Sequence, residues 1–179
     1  MEIGKFRELI LYIAQQSQKD QGYGRVKLFK LLFFIDQEHY RRFGRTITEQ
    51  QYCKMEHGPV PENGAMVLDQ LEQEGALSTR ERQIIQHTQK RAIAERNPDL
   101  YVFTEQELDM VDEIIKSYRG MSAREIKRIS HKGLGWRLAD LGEIIPMGVS
   151  LIYERRLNDE ELSYATGLAS SREFQLSHG

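Results

Sequence analysis

Asp36 and His39 stand three residues apart, a spacing that on a helix brings a carboxylate and an imidazole to one side and can offer both to a metal ion. A protein metal site needs more ligands than two, and the sequence supplies no second Asp/Glu/His pair at comparable spacing. The pair therefore reads as a helix-surface contact. Cys53 and His57 lie four apart and raise the question of a thiolate with its base. Cysteine hydrolases assemble that pair from distant parts of the chain, so this local one is no signature of such chemistry. His57-Gly58-Pro59-Val60 has two readings. Glycine permits close backbone approach and the imidazole can donate or accept near neutral pH, which suits a ligand or partner pocket; the alternative is a shaped turn with His57 hydrogen-bonded to backbone.

His131 and Trp136, separated by Gly133 and Gly135, could present a polar tip and a large ring to a partner, since Trp is a favoured interface anchor. The competing reading is core packing, with the indole N–H satisfied internally. Arg41, Arg42 and Arg45, with Lys27 and Lys30 upstream, form the only local basic run. It is either a phosphate-facing patch or, as favoured here, a solvated helix end that places cations near the negative pole. No phosphate-cradling glycine loop, no HExxH and no GxSxG occurs, which leaves no constellation that supports catalysis, a metal or a cofactor.

The elements that must position these residues are mostly helical. Ile3 to Gln16 sets Phe6, Leu9, Ile10 and Ile13 at helical spacing, an amphipathic helix over a core. A polar, glycine-containing break from Gln18 to Gly24 leads to a second helix, Val26 to Phe43, that is apolar nearly all round its middle and therefore covered on most sides. Its continuation Asp36, Gln37, Glu38, Arg41 and Arg42 is expected to emerge into solvent, with Gly44 as the stop. Residues 45 to 60 read as extended or irregular structure, Pro61 as the first turn of a helix running to about Glu74, and Gly75 as its end. Residues 76 to 96 carry no helical stripe and read as two irregular strands or a flexible excursion. Thr104 with Glu107, then Ser122 with Glu125, are capping-box signatures for two consecutive helices. Trp136 to Leu141 adds a turn or two, Val149 to Tyr153 is a short strand or helix, and Asn158 with the acids after it starts a last helix before a fraying tail.

Composition sets the class. Hydrophobic residues at 40% against 29% charged exclude a disordered chain. A single cysteine excludes an intrachain disulfide and a multi-thiolate zinc site and fits a reducing compartment. Charges within Met1 to Tyr12 argue against a signal or membrane helix, so the expected location is the cytoplasm. The net charge of -2 makes a nucleic-acid partner unlikely.

Two blocks carry a family resemblance. Lys27-Leu28-Phe29-Lys30-Leu31-Leu32-Phe33-Phe34-Ile35-Asp36, leading through Gly44 to Gly58-Pro59-Val60, resembles the N-terminal block of Panacea domains, the SocA-like antitoxins. Leu108 to Tyr118, Met121-Ser122-Ala123-Arg124-Glu125-Ile126, Ser130-His131 and Trp136 are similar to the C-terminal block. The resemblance spans roughly residues 5 to 155. Residues 80 to 100 are longer and more polar than in a minimal member, and the tail past Asn158 has no clear counterpart.

The resemblance implies a bacterial or phage module whose partner is a cognate protein toxin, met by direct contact or delivered to a cytosolic protease. The expectation is thus a mainly α, single helical domain over 1–157 with a small β or extended excursion around 76–100, followed by a C-terminal helix and frayed tail over 158–179. Its partner-binding residues are expected from the 80 to 96 excursion and among Tyr40, Tyr52, His57, Ile84, Ile85, His131 and Trp136, several of them exposed. A nucleic-acid binder and an unrecognised hydrolase are the rival readings.

Overall fold

A helix that is apolar around most of its circumference must be covered on most of its sides, and the architecture follows from that need. The structure, a computed structural model, describes residues 3–84 and 87–151. Its helices are α1 (Ile3–Gln16), α2 (Arg25–Phe43), α3 (Gly64–Gln73), α4 (Glu105–Tyr118), α5 (Ala123–Ser130) and α6 (Leu134–Leu138), and its strands are β1 (Tyr52–Met55), β2 (Gly58–Pro61), β3 (Leu77–Ile84) and β4 (His87–Ala94). The class is mainly α, with two antiparallel two-stranded sheets. α2 lies at the centre, packed by α1, α4, α5, β2 and β4. Leu28, Leu31, Leu32 and Ile35 are almost wholly withdrawn from solvent, and α2 stops at Gly44, whose φ of 71° is left-handed.

Three expectations need correction. Asp36 does not emerge into solvent; it is 0% exposed. Its carboxylate accepts the backbone N–H groups of Ile47 (2.8 Å) and Thr48 (3.0 Å), the Thr48 hydroxyl, and the Tyr52 hydroxyl (2.7 Å). Those four bonds fasten the 45–52 segment against α2. Lys27 and Lys30 do not belong to a solvated basic run either, because each is 1% exposed, whereas Arg41 and Arg42 are exposed and pair with Glu38. Pro61 ends β2 opposite Tyr52, and the Glu62 N–H donates to Gln51 O (2.9 Å). That bond carries the pairing one residue past the proline, so α3 starts at Gly64.

β3 and β4 are regular antiparallel strands, paired from Leu77↔Ala94 to Ile84↔His87. Their base is buried at Leu77 and Ala92. Arg91 anchors them to the α1–α2 connection, donating to Asp20 O (3.0 Å) and Gln18 O (2.9 Å) and lying 5.5 Å from the Tyr23 ring centroid. Both capping boxes form as the spacing indicated. Glu107 also takes Lys5 Nζ at 2.7 Å and lies 3.5 Å from His39 Nε2, so one carboxylate joins α1, α2 and α4. Met147–Leu151 is a 3-10 helix. The expected helix and tail over 158–179 lie outside the described residues.

Lys27 gives the clearest test of this interior. Its ammonium donates to Asp20 Oδ2 (2.6 Å), Tyr118 O (2.7 Å) and Met121 O (2.8 Å), tying the start of α2 to the α4–α5 link. Lys27→Met strands a buried carboxylate and two carbonyls, and urea denaturation should show a loss of about 3–5 kcal/mol. Asp36 gives a pH signature. Burial pushes its carboxyl up to about 6, against the opposing pull of its hydrogen bonds. A raised folded value means that its contribution is full below the ordinary carboxyl range and is lost as pH rises through about 6. The stability of the wild type relative to Asp36→Asn should therefore fall by roughly 2 kcal/mol between pH 4 and pH 7 in urea titrations.

Candidate partner-binding site

A cavity of about 580 Å³ opens between the start of α2, the tip of the β1–β2 hairpin, β4 and the first residue of α5, a volume in the range of binding pockets. Phe29, Pro59 and Val60 form apolar wall, with Val26 and Met55 at the mouth, 40% and 46% exposed. β4 contributes Thr88, Gln89 and Lys90. The hairpin tip is a two-residue turn, Glu56-His57, closed by the Met55↔Gly58 pair.

The electrostatics are one-sided. Arg25, Lys27, Lys30, His57 and Lys90 line the cavity against the single acid Glu56. Lys27 is neutralised by Asp20, Lys90 faces Glu81 across the sheet at 3.9 Å, and Arg25 lies 5.5 Å from the Phe29 ring centroid. Lys30 is different. Burial and the neighbouring Lys127 hold its ammonium down to about 8. Gly58, at φ +114°, leaves room for it, because a Cβ there would stand 2.7 Å from Lys30 Nζ and 3.2 Å from Ser130 Oγ. Glycine is required at this position both for the backbone angle and for the space.

The residues singled out in the sequence do not converge. His57 is exposed and lines the cavity. Tyr40 is half-buried and lines a separate hollow of about 330 Å³ with His39 and Glu107. Tyr52, expected on the surface, is 1% exposed because its hydroxyl serves Asp36. Trp136, also expected exposed, is 8% exposed. His131 stacks on it at 4.1 Å and 12°, and Lys54 Nζ sits 5.0 Å from its ring centroid while donating to Ala139 O (2.9 Å). Core packing describes this pair.

His131 itself is half-buried, and its Nε2 is buried without a hydrogen-bond partner. Desolvation and then Lys127, Lys30 and Lys54 hold the imidazole below its ordinary range. Ile84 is half-buried at the far end of β3, and Ile85 lies outside the described residues.

Asp36 and His39 are both buried and point to different partners, His39 Nδ1 meeting Arg45 O at 2.6 Å. They are an interior pair, not a surface contact. Among the described residues no group of three His, Cys, Asp or Glu could hold a metal. Cys53 is half-buried in β1, paired with Val60 and bridging Ile144 on its other side. Phe29 was not singled out in the sequence and Lys30 entered only with the basic run, whereas the β4 residues Thr88, Gln89 and Lys90 belong to the 80–96 excursion expected to supply binding residues. The available signal was the pair of lysines inside an apolar run, because a cation on a covered helix face needs a counter-charge or a purpose.

The model of the family described as antitoxin SocA-like, Panacea domain, matches residues 28–137, more than half of the 179-residue chain. No curated protein and no solved structure shows significant similarity to it.

The geometry makes opposite predictions for two adjacent residues of the turn. Gly58→Ala should cost about 1–3 kcal/mol in chemical denaturation, from the left-handed backbone and the collision with Lys30. His57→Ala, exposed, should stay within about 0.5 kcal/mol of wild type.

Proposed function

Because the chain belongs to the SocA-like antitoxin family with its Panacea domain, we propose that it neutralises a cognate protein toxin by direct contact and that the cavity beside α2 receives a segment of that toxin. The carrying observation is that the matched stretch, residues 28–137, includes most of the residues that line the cavity: Phe29 and Lys30, the β1–β2 tip, the β4 residues and Ala123. An open apolar hollow ringed by polar groups has the anatomy of the central pocket of a protein interface, where one side chain of the partner is desolvated. β3 and β4 extend the surface beside it with exposed residues such as Thr79, Arg82 and Thr88. Affinity is then the activity, set by what fills the pocket more than by the total area covered.

Among the described residues no helix is long and apolar enough to cross a membrane. Delivery of the toxin to a protease is the alternative mode of neutralisation, and it predicts dependence on that protease.

Co-expression tests the reading. The product of the adjacent open reading frame should arrest growth alone, and this chain should restore growth and copurify with it. Met55→Glu places a charge at the cavity mouth without disturbing the core and should abolish both effects. No rescue and no copurification by the wild-type chain would overturn the proposal, and rescue confined to protease-proficient cells would replace direct contact with delivery.

A further inference from the structure

Lys27 and Lys30 stand three residues apart on α2 and are equally buried, but their surroundings are opposite. Lys27 spends its three N–H donors on a carboxylate and two carbonyls. Lys30 has no carboxylate and no hydrogen-bond acceptor among the described residues, and the neighbouring charge acting on it is that of Lys127, of like sign. The stem is buried while Nζ reaches the open cavity, where its three donors are claimed by no acceptor of the described residues. Nothing in the packing demands a cation there, because a methionine would fill the same volume.

Three features set the Lys30 ammonium up as a receptor. It lines the cavity. Gly58 withholds a side chain where one would cover it, and the Ser130 hydroxyl approaches the same point. Of the other cations of the cavity, Lys27 pairs with Asp20, Lys90 faces Glu81, and Arg25 stands over the Phe29 ring. One free ammonium in an apolar hollow matches one carboxylate; a phosphate dianion calls for more donors than this.

Resting on the docking reading above, we propose that Lys30 is the anion receptor of the cavity and that the toxin segment entering it carries an Asp or Glu side chain beside a large apolar side chain. The apolar side chain packs against Phe29, Pro59 and Val60, and the carboxylate accepts from Lys30 Nζ. Arg25 at the cavity wall adds a field of the right sign for an acidic segment.

The test uses the full chain and Lys30→Met. Peptides selected on the wild-type protein from a random dodecapeptide library should share an acidic residue next to a large apolar one. The strongest, made synthetically, should bind Lys30→Met at least about tenfold more weakly. Replacing its acid by the amide should cost a similar factor on wild type and little more on Lys30→Met. The variant should melt at the wild-type temperature or above it, since a buried unpaired charge has been removed. Inorganic phosphate and hexanoate should not displace the peptide at matched concentration.

A selected consensus without an acid, undiminished binding by Lys30→Met, or a lowered melting temperature would overturn the proposal. Displacement by phosphate or hexanoate would also overturn it, reassigning the site to a free anion. Growth rescue separates the two ideas: rescue lost with Met55→Glu but retained with Lys30→Met leaves the docking reading standing and refutes the carboxylate, whereas rescue retained with both refutes each of them.

Discussion

Every charged group inside this fold must find its partner on another element, because α2 is enclosed by α1, α4, α5, β2 and β4 and its buried face offers no water. Asp36 meets this constraint by collecting the 45–52 segment, and Lys27 by gripping the α1–α2 and α4–α5 connections at once. Glu107 answers Lys5 and caps α4 with the same carboxylate. These bonds pin the connections, and of the three groups Lys27 also lines the cavity. Burying such groups adds little net stability compared with an apolar interior, but breaking one partner away is costly. Their effect is to hold the connections in one arrangement.

Lys30 is the exception that gives the enclosed helix a function. It shares the burial of Lys27 and lacks its partners, which is the pattern of a group held at a stability cost for binding. The β1–β2 tip and β4 approach the same end of α2, and together they turn a structural rod into one wall of a receptor. Family membership supplies the class of partner, and the cavity supplies a chemistry by which one member could recognise its own. Beyond their buried base at Leu77, Arg91 and Ala92, β3 and β4 present exposed residues such as Thr79 and Arg82 that can vary without disturbing the enclosed helix.

Legibility in the sequence tracked the range of the interactions. The helices could be read from their periodicity, and α4 and α5 from Thr104 with Glu107 and Ser122 with Glu125, because a cap is satisfied within four residues. Asp36, Lys27 and Lys30 were misplaced because hydropathy sends charges to solvent, and the partners that keep two of them inside come from other segments: Thr48 and Tyr52 for one, Tyr118 and Met121 for the other. The β3–β4 register was hidden for a similar reason, since Arg91 is anchored by carbonyls about seventy residues earlier in the chain. Tyr52 and Trp136 looked like interface aromatics, yet each completes an interior arrangement that only the folded chain assembles. The cavity draws four separated stretches together, and the binding expectation had reached His57 and the 80–96 excursion that carries Thr88, Gln89 and Lys90, but not Phe29 or the start of α2.

The structure of this chain bound to its toxin tests the central claim most directly. The account predicts a toxin segment inside the cavity beside α2, with a carboxylate oxygen about 2.7–2.9 Å from Lys30 Nζ and an apolar side chain against Phe29 and Val60. A toxin seated on another face, with the cavity open to water and Lys30 still unpaired, would contradict it.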